Sequence, residues 1–374
     1  MVNPGPGAEV SAAPPVDVPE PSSSAGAPSA STGRRVVLVV GSGRSGTSTM
    51  AGTLQTLGVV VPQPEVVADE TNPKGFGEPQ WVVDLHEELL RGSNVAVADA
   101  RPDAWFEAGK VNVLEGQRVR VHAWLEEQFA AGDELCVKDP RLAWFLGLWR
   151  AAALRAGAVP VHVTMLRPVT EVVASKQRYY AGKFTEVNRT AAWVNMMLGT
   201  ERATRGTDRA FIRYADMLTD WTVPVHRLGE QLGLTSVQTA SAVDIRKVHQ
   251  FIDPGLRRVQ VTWDDVQVPP RLREIADATW HALDRLPEPG ADDAAVHEEL
   301  DQLRAAYADL YAEAEAISQS TALAEARAAE QRGFRAGAES RRRRRGADLV
   351  PHSVRAAVPP SVRTRLRRAM GRAR

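Results

Sequence analysis

From Val36 to Val40 the chain runs through five apolar residues, four of them valine, and then breaks into Gly41-Ser42-Gly43-Arg44-Ser45-Gly46-Thr47. A short β-branched run bounded by glycine predicts a buried strand. Met50–Leu57 follows with a helix-compatible pattern. The same change of period recurs downstream. Strands are predicted at Glu134–Lys138, Val159–Leu166 and Ala210–Arg213, with helical patterns at Trp81–Leu90, Arg118–Ala131, Leu142–Ala156, Val169–Tyr180 and Ala191–Arg205. Strands alternating with helices predict an α/β fold with a mostly parallel sheet covered on both faces.

The pattern fades at both ends. Residues 1–33 are dominated by Pro, Ser, Ala and Gly without an aromatic residue, and are expected to be disordered. The folded body is expected over residues 34–286, closed by Pro287-Glu288-Pro289-Gly290, which reads as a linker. Beyond it, Val296, Leu300, Leu303, Tyr307, Leu310, Ala314 and Ile317 step alternately by four and three, the a/d seam of a coiled coil. This predicts a helical extension over residues 294–339. A helix folded back on its own body and a homodimer zipper fit that seam equally well.

Charge changes the picture at the C-terminus. The chain balances at 46 basic and 46 acidic groups, yet residues 341–374 hold 12 arginines and one acid, so a tail of +11 leaves −11 on the remainder. A basic tail (residues 340–374) on an acidic body calls for an anionic partner. The mixed Val, Leu, Ala and Arg of residues 350–374 suit an anionic membrane surface. No aromatic residue occurs in residues 341–374 to stack on bases, which disfavours nucleic acid. The single cysteine, Cys136, excludes an intramolecular disulfide and fits a reducing compartment. With no apolar run long enough to span a bilayer and no secretory leader, the expected location is cytoplasmic, peripheral at the inner face of the membrane.

The candidate chemistry starts at the loop. A strand that delivers a small-residue turn to a helix N-terminus gathers backbone N–H groups before the positive end of the helix dipole, an arrangement that binds phosphate. The Gly41-x4-Gly46 spacing matches the opening of a nucleotide P-loop, but Thr47 stands where that motif places lysine, and the cation is Arg44 inside the loop. The fold class expected is therefore α/β, P-loop-like, with a mostly parallel sheet, flanking helices and a helical C-terminal extension. A second constellation, Arg167 at the end of the Val159–Leu166 run and Ser175 on the helix after it, would stand at the carboxyl edge of the sheet, where open α/β folds bind ligands.

Together these residues resemble the sulfotransferases that use 3′-phosphoadenosine-5′-phosphosulfate (PAPS), over about residues 35–265. The family's loop R-S-G-T-[ST], which holds the 5′-phosphosulfate, matches Arg44-Ser45-Gly46-Thr47-Ser48, and its 3′-phosphate arginine and serine match Arg167 and Ser175. The likeness is strongest to the arginine-loop branch of tyrosylprotein and bacterial carbohydrate sulfotransferases. Cys136-Val137-Lys138-Asp139-Pro140-Arg141 resembles its K-D-P strand end, which contributes a lysine near the transferred group, and Asn72-Pro73-Lys74-Gly75-Phe76-Gly77-Glu78 resembles its N-P-[KR]-G-[FY]-x-E segment. Tyr214-Ala215-Asp216-Met217-Leu218 resembles a Y-E-D-L piece, with Ala215 in place of the usual glutamate. Arg257 and Arg258 fall where members fold a basic loop over the nucleotide.

What the resemblance implies is sulfuryl transfer from PAPS, as co-substrate, to a hydroxyl acceptor, with a carbohydrate or glycolipid expected. Gly43, Arg44, Ser45, Gly46, Thr47, Ser48, Thr49, Arg167, Ser175, Arg257 and Arg258 would bind the donor. Arg44 and Lys138 would neutralise charge on the leaving group. The base is expected to be Glu65 or, close behind, Glu78, with Glu70 and His86 weaker. No metal is expected, and the eight histidines show no ligand spacing. Trp81, Trp105, Phe106, Tyr179 and Tyr180 are available to stack on a sugar, although buried packing is the commoner fate of such residues. Two other classes remain open: a P-loop nucleotide kinase or nucleotidase, which calls for the missing lysine, and a non-catalytic adaptor built on the coiled coil and basic tail.

Overall fold

The computed structural model describes residues 33–69, 72, 75–179, 184–252 and 261–348, with side chains as far as residue 338. The expectations for residues 1–32, for the tail beyond residue 348, and for Glu70, Pro73, Lys74, Tyr180, Arg257 and Arg258 lie outside the described residues.

Four parallel strands form the sheet among the described residues: β1 (Arg35–Val40), β2 (Glu134–Lys138), β3 (Val159–Leu166) and β4 (Arg209–Arg213), in the order β2-β1-β3-β4. β1 lies between two neighbours, pairing Val39 with both Lys138 and Val163. β4 adds to the far side of β3, with Leu166 opposite Arg213. Each strand ends at one edge of the sheet, so the residues just after them share that edge.

Side-chain alternation along β1 divides the core in two. Val36, Leu38 and Val40 face a layer built from α2 (Gln80–Ser93), α3 (Ala104–Asn112), α4 (Glu115–Gln128) and α5 (Leu146–Arg155). Val37 and Val39 face α1 (Thr47–Thr56), α8 (Tyr214–Asp220), α9 (Thr222–Leu232), the single turn α10 (Thr235–Gln238) and α11 (Ala242–Phe251). A period of two on a strand covered on both faces makes every residue of the run apolar. This is the α/β class expected, a parallel sheet flanked by helices and followed by a long C-terminal helix.

A third apolar cluster joins α6 (Val169–Tyr179), α7 (Glu186–Thr204), α12 (Pro270–Arg285) and the first turns of α13 (Ala294–Asp348). Residues 287–290 reverse the chain between α12 and α13. Val296, Leu300 and Tyr307 of the heptad seam are buried against the body, and Tyr307 donates its hydroxyl hydrogen to the Ala100 carbonyl at 2.5 Å. Arg205 binds Asp301 at 2.8 Å, tying α7 to α13. Further along the seam, Ile317 is 85% exposed. No helix of the described residues is long and apolar enough to cross a membrane.

Candidate active site

The loop between β1 and α1 is held in a strained shape. Arg44 adopts φ 76° and Gly46 φ 92°. A left-handed backbone costs a non-glycine residue about 1–2 kcal/mol, so Arg44 keeps it only under restraint. That restraint is Arg167, whose Nη1 donates to the Arg44 carbonyl at 3.0 Å. At Gly46 no side chain fits, because a Cβ would come within 2.2 Å of the Tyr214 ring. Gly46 also begins α1, whose first turn contains no acid and whose cap uses no side chain. The first N–H groups of the helix therefore open toward the loop with the positive end of the dipole unopposed. Thr47, Thr49 and Ser45 are buried, and the Ser45 hydroxyl has no hydrogen-bond partner.

On the β2 side of the loop stands an ion pair. Lys138 ends β2, is 2% exposed, and its Nζ lies 2.5 Å from Glu78 Oε1. The same ammonium donates to the Phe76 carbonyl at 3.0 Å and to Ser48 Oγ at 3.2 Å, so it bridges carboxylate and loop. Asn72 donates to Ser48 at 3.1 Å and to the Gly75 carbonyl at 2.6 Å, closing the segment over that hydroxyl. Burial raises the Glu78 carboxyl above the ordinary glutamate range, against the pull of the Lys138 ammonium.

Glu65 and Glu78 lie on facing stretches: Glu65 bridges Pro79 in antiparallel register, and Val66 N–H donates to the Glu78 carbonyl. Their side chains part company. Glu65 is half-buried and accepts from Gln55 Nε2 at 2.8 Å and Gln63 Nε2 at 2.6 Å, with no cation paired to it among the described residues. Of the two, Glu78 has both the buried setting and the link to the loop. His86 is fully buried and engaged at both nitrogens. Trp149 Nε1, which can only donate, lies 2.8 Å from His86 Nε2, so His86 Nδ1 carries the hydrogen and donates it to Asp139 at 2.6 Å. Burial would raise the Asp139 carboxyl, but His86 and the Arg141 guanidinium together hold it below the usual carboxylate range. With Nε2 capped by an indole, His86 has no lone pair for a substrate proton; the triad braces the strand end that carries Lys138.

On the β3 side the arrangement is cationic. Arg44 Nε donates to Ser175 Oγ at 3.2 Å, and its guanidinium lies 4.4 Å over the Tyr179 ring. Ser175, two helical turns along α6, thus meets the loop through Arg44. Arg167 is 7% exposed, with Nε on Glu171 Oε2 at 2.9 Å and its guanidinium 5.0 Å from the Tyr214 ring centre. Its role visible here is to grip the loop. Lys176, absent from the sequence reading, donates to Ser42 Oγ at 3.0 Å.

The motifs far apart in sequence therefore converge: Arg44, Ser45, Gly46, Thr47 and Ser48 from the loop, Lys138 and Glu78 from one side, Arg167 and Ser175 from the other. Gly43 lies within the same turn. Cys136 is fully buried in the β2 core, where burial pushes its thiol up to about 12, far from a nucleophile's range. Among the aromatics, Trp81 stacks on Trp124 at 4.8 Å, Trp105 packs on Trp144 at 4.6 Å, and Phe106 is exposed. Among the described residues no cluster of His, Cys, Asp and Glu suits a metal ion. Cations grouped about an open helix N-terminus fit an anionic phosphoryl or sulfuryl ligand.

No known protein family's profile matches the chain, and no curated protein matches it. Among solved structures, it is similar to a sulfotransferase domain from the curacin biosynthetic pathway, at 15% identity, covering 67% of this chain and 98% of that one, with a TM-score of 0.38. It is also similar to a sulfotransferase domain from the Synechococcus PCC 7002 olefin synthase, at 17% identity, covering 74% and 94% of the two chains, with a TM-score of 0.32.

Proposed function

We propose that this chain is a sulfotransferase that moves the sulfuryl group of PAPS to a hydroxyl acceptor of the carbohydrate or glycolipid class. The observation that carries the reading is the meeting of two separate motifs at one loop: Arg44 reaches Ser175, and Arg167 grips the Arg44 carbonyl. In this reading the acceptor oxygen bonds to sulfur while the sulfur–oxygen bond to phosphate breaks, and the electron pair leaves with adenosine 3′,5′-bisphosphate. The N–H groups opening α1, with Arg44, hold the phosphosulfate. Lys138, fixed at Ser48, stabilises negative charge growing on the leaving oxygen. Glu78, its carboxyl raised toward neutral pH by burial, takes the acceptor's proton. The acceptor class rests on the resemblance of the loop to the carbohydrate branch.

Calorimetric titration with adenosine 3′,5′-bisphosphate, ADP and ATP, with and without magnesium, tests the donor. A magnesium-independent preference for the 3′-phosphorylated nucleotide, lost in Arg167→Ala, is the expected result. A preference for ATP with magnesium would place the chain with the kinases, and binding of none would favour an adaptor.

A further inference from the structure

Lys176 is a cation without a counter-ion. It follows Ser175 on α6 and is half-buried, and no carboxylate lies within ion-pair distance of it among the described residues. Among the described residues, the charge that acts on it has its own sign. α7 brings the buried Arg189 guanidinium toward it, and Leu272 and Ile275 of α12 share one apolar cluster with α6. At the head of α6, Arg167 and Glu171 are engaged with each other. Burial, with Arg189 adding to it, lowers Lys176 to about 8. Consecutive helix residues point about 100° apart, yet Ser175 and Lys176 both reach the loop, because one meets Arg44 and the other Ser42.

We propose that Lys176, next to Ser175, is an additional cation for the ribose 3′-phosphate of the donor nucleotide. The proposal rests on the PAPS reading. Arg167 spends Nε and Nη1 on Glu171 and the Arg44 carbonyl, while Lys176 among the described residues is bound to a hydroxyl.

The test is calorimetric titration of the full chain with adenosine 3′,5′-bisphosphate and, in parallel, adenosine 5′-monophosphate, from pH 7 to 9.5. Wild-type protein should prefer the bisphosphate. Lys176→Met should weaken it by about 30-fold, the scale of one charge-assisted contact, with the monophosphate changed less than about threefold. Lys176→Arg should restore most of the loss. Bound phosphate raises the lysine's proton affinity, so wild-type affinity for the bisphosphate should hold below about pH 8 and fall above it. The ligand's phosphates, with second pKa values near 6, stay charged throughout that range, and Lys176→Met should remove the fall. Preserved preference and pH profile in Lys176→Met would overturn the assignment and leave the donor reading standing. Equal affinity of wild type for the two nucleotides, or none for either, would overturn the donor reading as well. Should Lys176→Met fail to fold, a flat wild-type difference between the two nucleotides across that pH range overturns the assignment by itself.

Discussion

The two flanks of the loop use lysine in opposite ways. On the β2 flank Lys138 is buried and matched by a buried carboxylate, Glu78, at 2.5 Å. On the β3 flank Lys176 has a hydroxyl partner and a neighbouring guanidinium. A compensated pair is electrically quiet, and when its carboxylate takes up a proton the ammonium is left as the net charge of the pair. Uncompensated cations do the reverse: they draw an anion and are stabilised by it. Placed either side of one helix N-terminus, the first arrangement suits proton transfer and the second suits holding a phosphate. The difference also separates roles that motif matching merges, since all these residues would otherwise read as basic groups near a nucleotide.

The sharpest test of this division is Glu78→Gln. Loss of a general base costs about 10²–10⁴-fold in rate, and here kcat for sulfuryl transfer should fall by that much while the bisphosphate dissociation constant stays within about threefold. Glu65→Gln should leave kcat within a few-fold; a larger loss than in Glu78→Gln would reverse the assignment of the base. Next in size is Lys138→Met, which strands Glu78. Removing one partner of a buried pair costs about 3–5 kcal/mol, read from urea denaturation. Glu78 already has a raised carboxyl in the folded state, so folding favours its protonated form, and its contribution to stability falls as pH rises from about 4.5 through the raised value. Without Lys138 that value rises further, so the deficit of Lys138→Met should be small near pH 4.5 and grow toward pH 8. A deficit independent of pH would break the pairing argument.

Arg44→Ala should act on the other flank, weakening the bisphosphate by about 10–100-fold through the loss of one charged contact and of loop order, with little change in the urea midpoint. The smallest expected effect is structural. Trp149→Phe removes the indole donor from His86 Nε2, and an orphaned buried acceptor costs about 1–3 kcal/mol. Thermal unfolding should register the loss while nucleotide affinity is kept. A collapse of affinity in Trp149→Phe would show that the brace behind Lys138 reaches the phosphate-holding flank as well.

The core of the fold was legible in the chain. Val36–Val40, Glu134–Lys138 and Val159–Leu166 become strands at nearly those limits, because fully covered parallel strands admit apolar residues on both faces and their runs stand out. The helices at residues 104–112 and 270–285 and the four between residues 214 and 251 were not assigned from sequence; in the last stretch Pro224 and short reversals such as Gly233 break the pattern. For the site, the loop and its partners Lys138, Arg167 and Ser175 could be named in advance. The surroundings of the two glutamates could not. Spacing from Arg44 favours Glu65, whereas the antiparallel bridge at Pro79 turns Glu78 inward to Lys138 and leaves Glu65 to two glutamine amides. His86 likewise reads as a candidate base until Trp149 is seen on its Nε2.

By itself, the sequence determined which segments are strands, where the phosphate-type loop lies, and which residue types surround it, because these depend on local periodicity and on glycine where φ is positive. Tertiary structure alone decided which cation has a partner. Counter-charge and desolvation depend on what distant segments bring within a few ångströms: the segment leading into α2 sets Glu78 beside Lys138, and the packing of α6 on α7 sets Lys176 beside Arg189, with no acid at ion-pair distance among the described residues. Those environments, rather than the residue types, distinguish the two flanks of the loop.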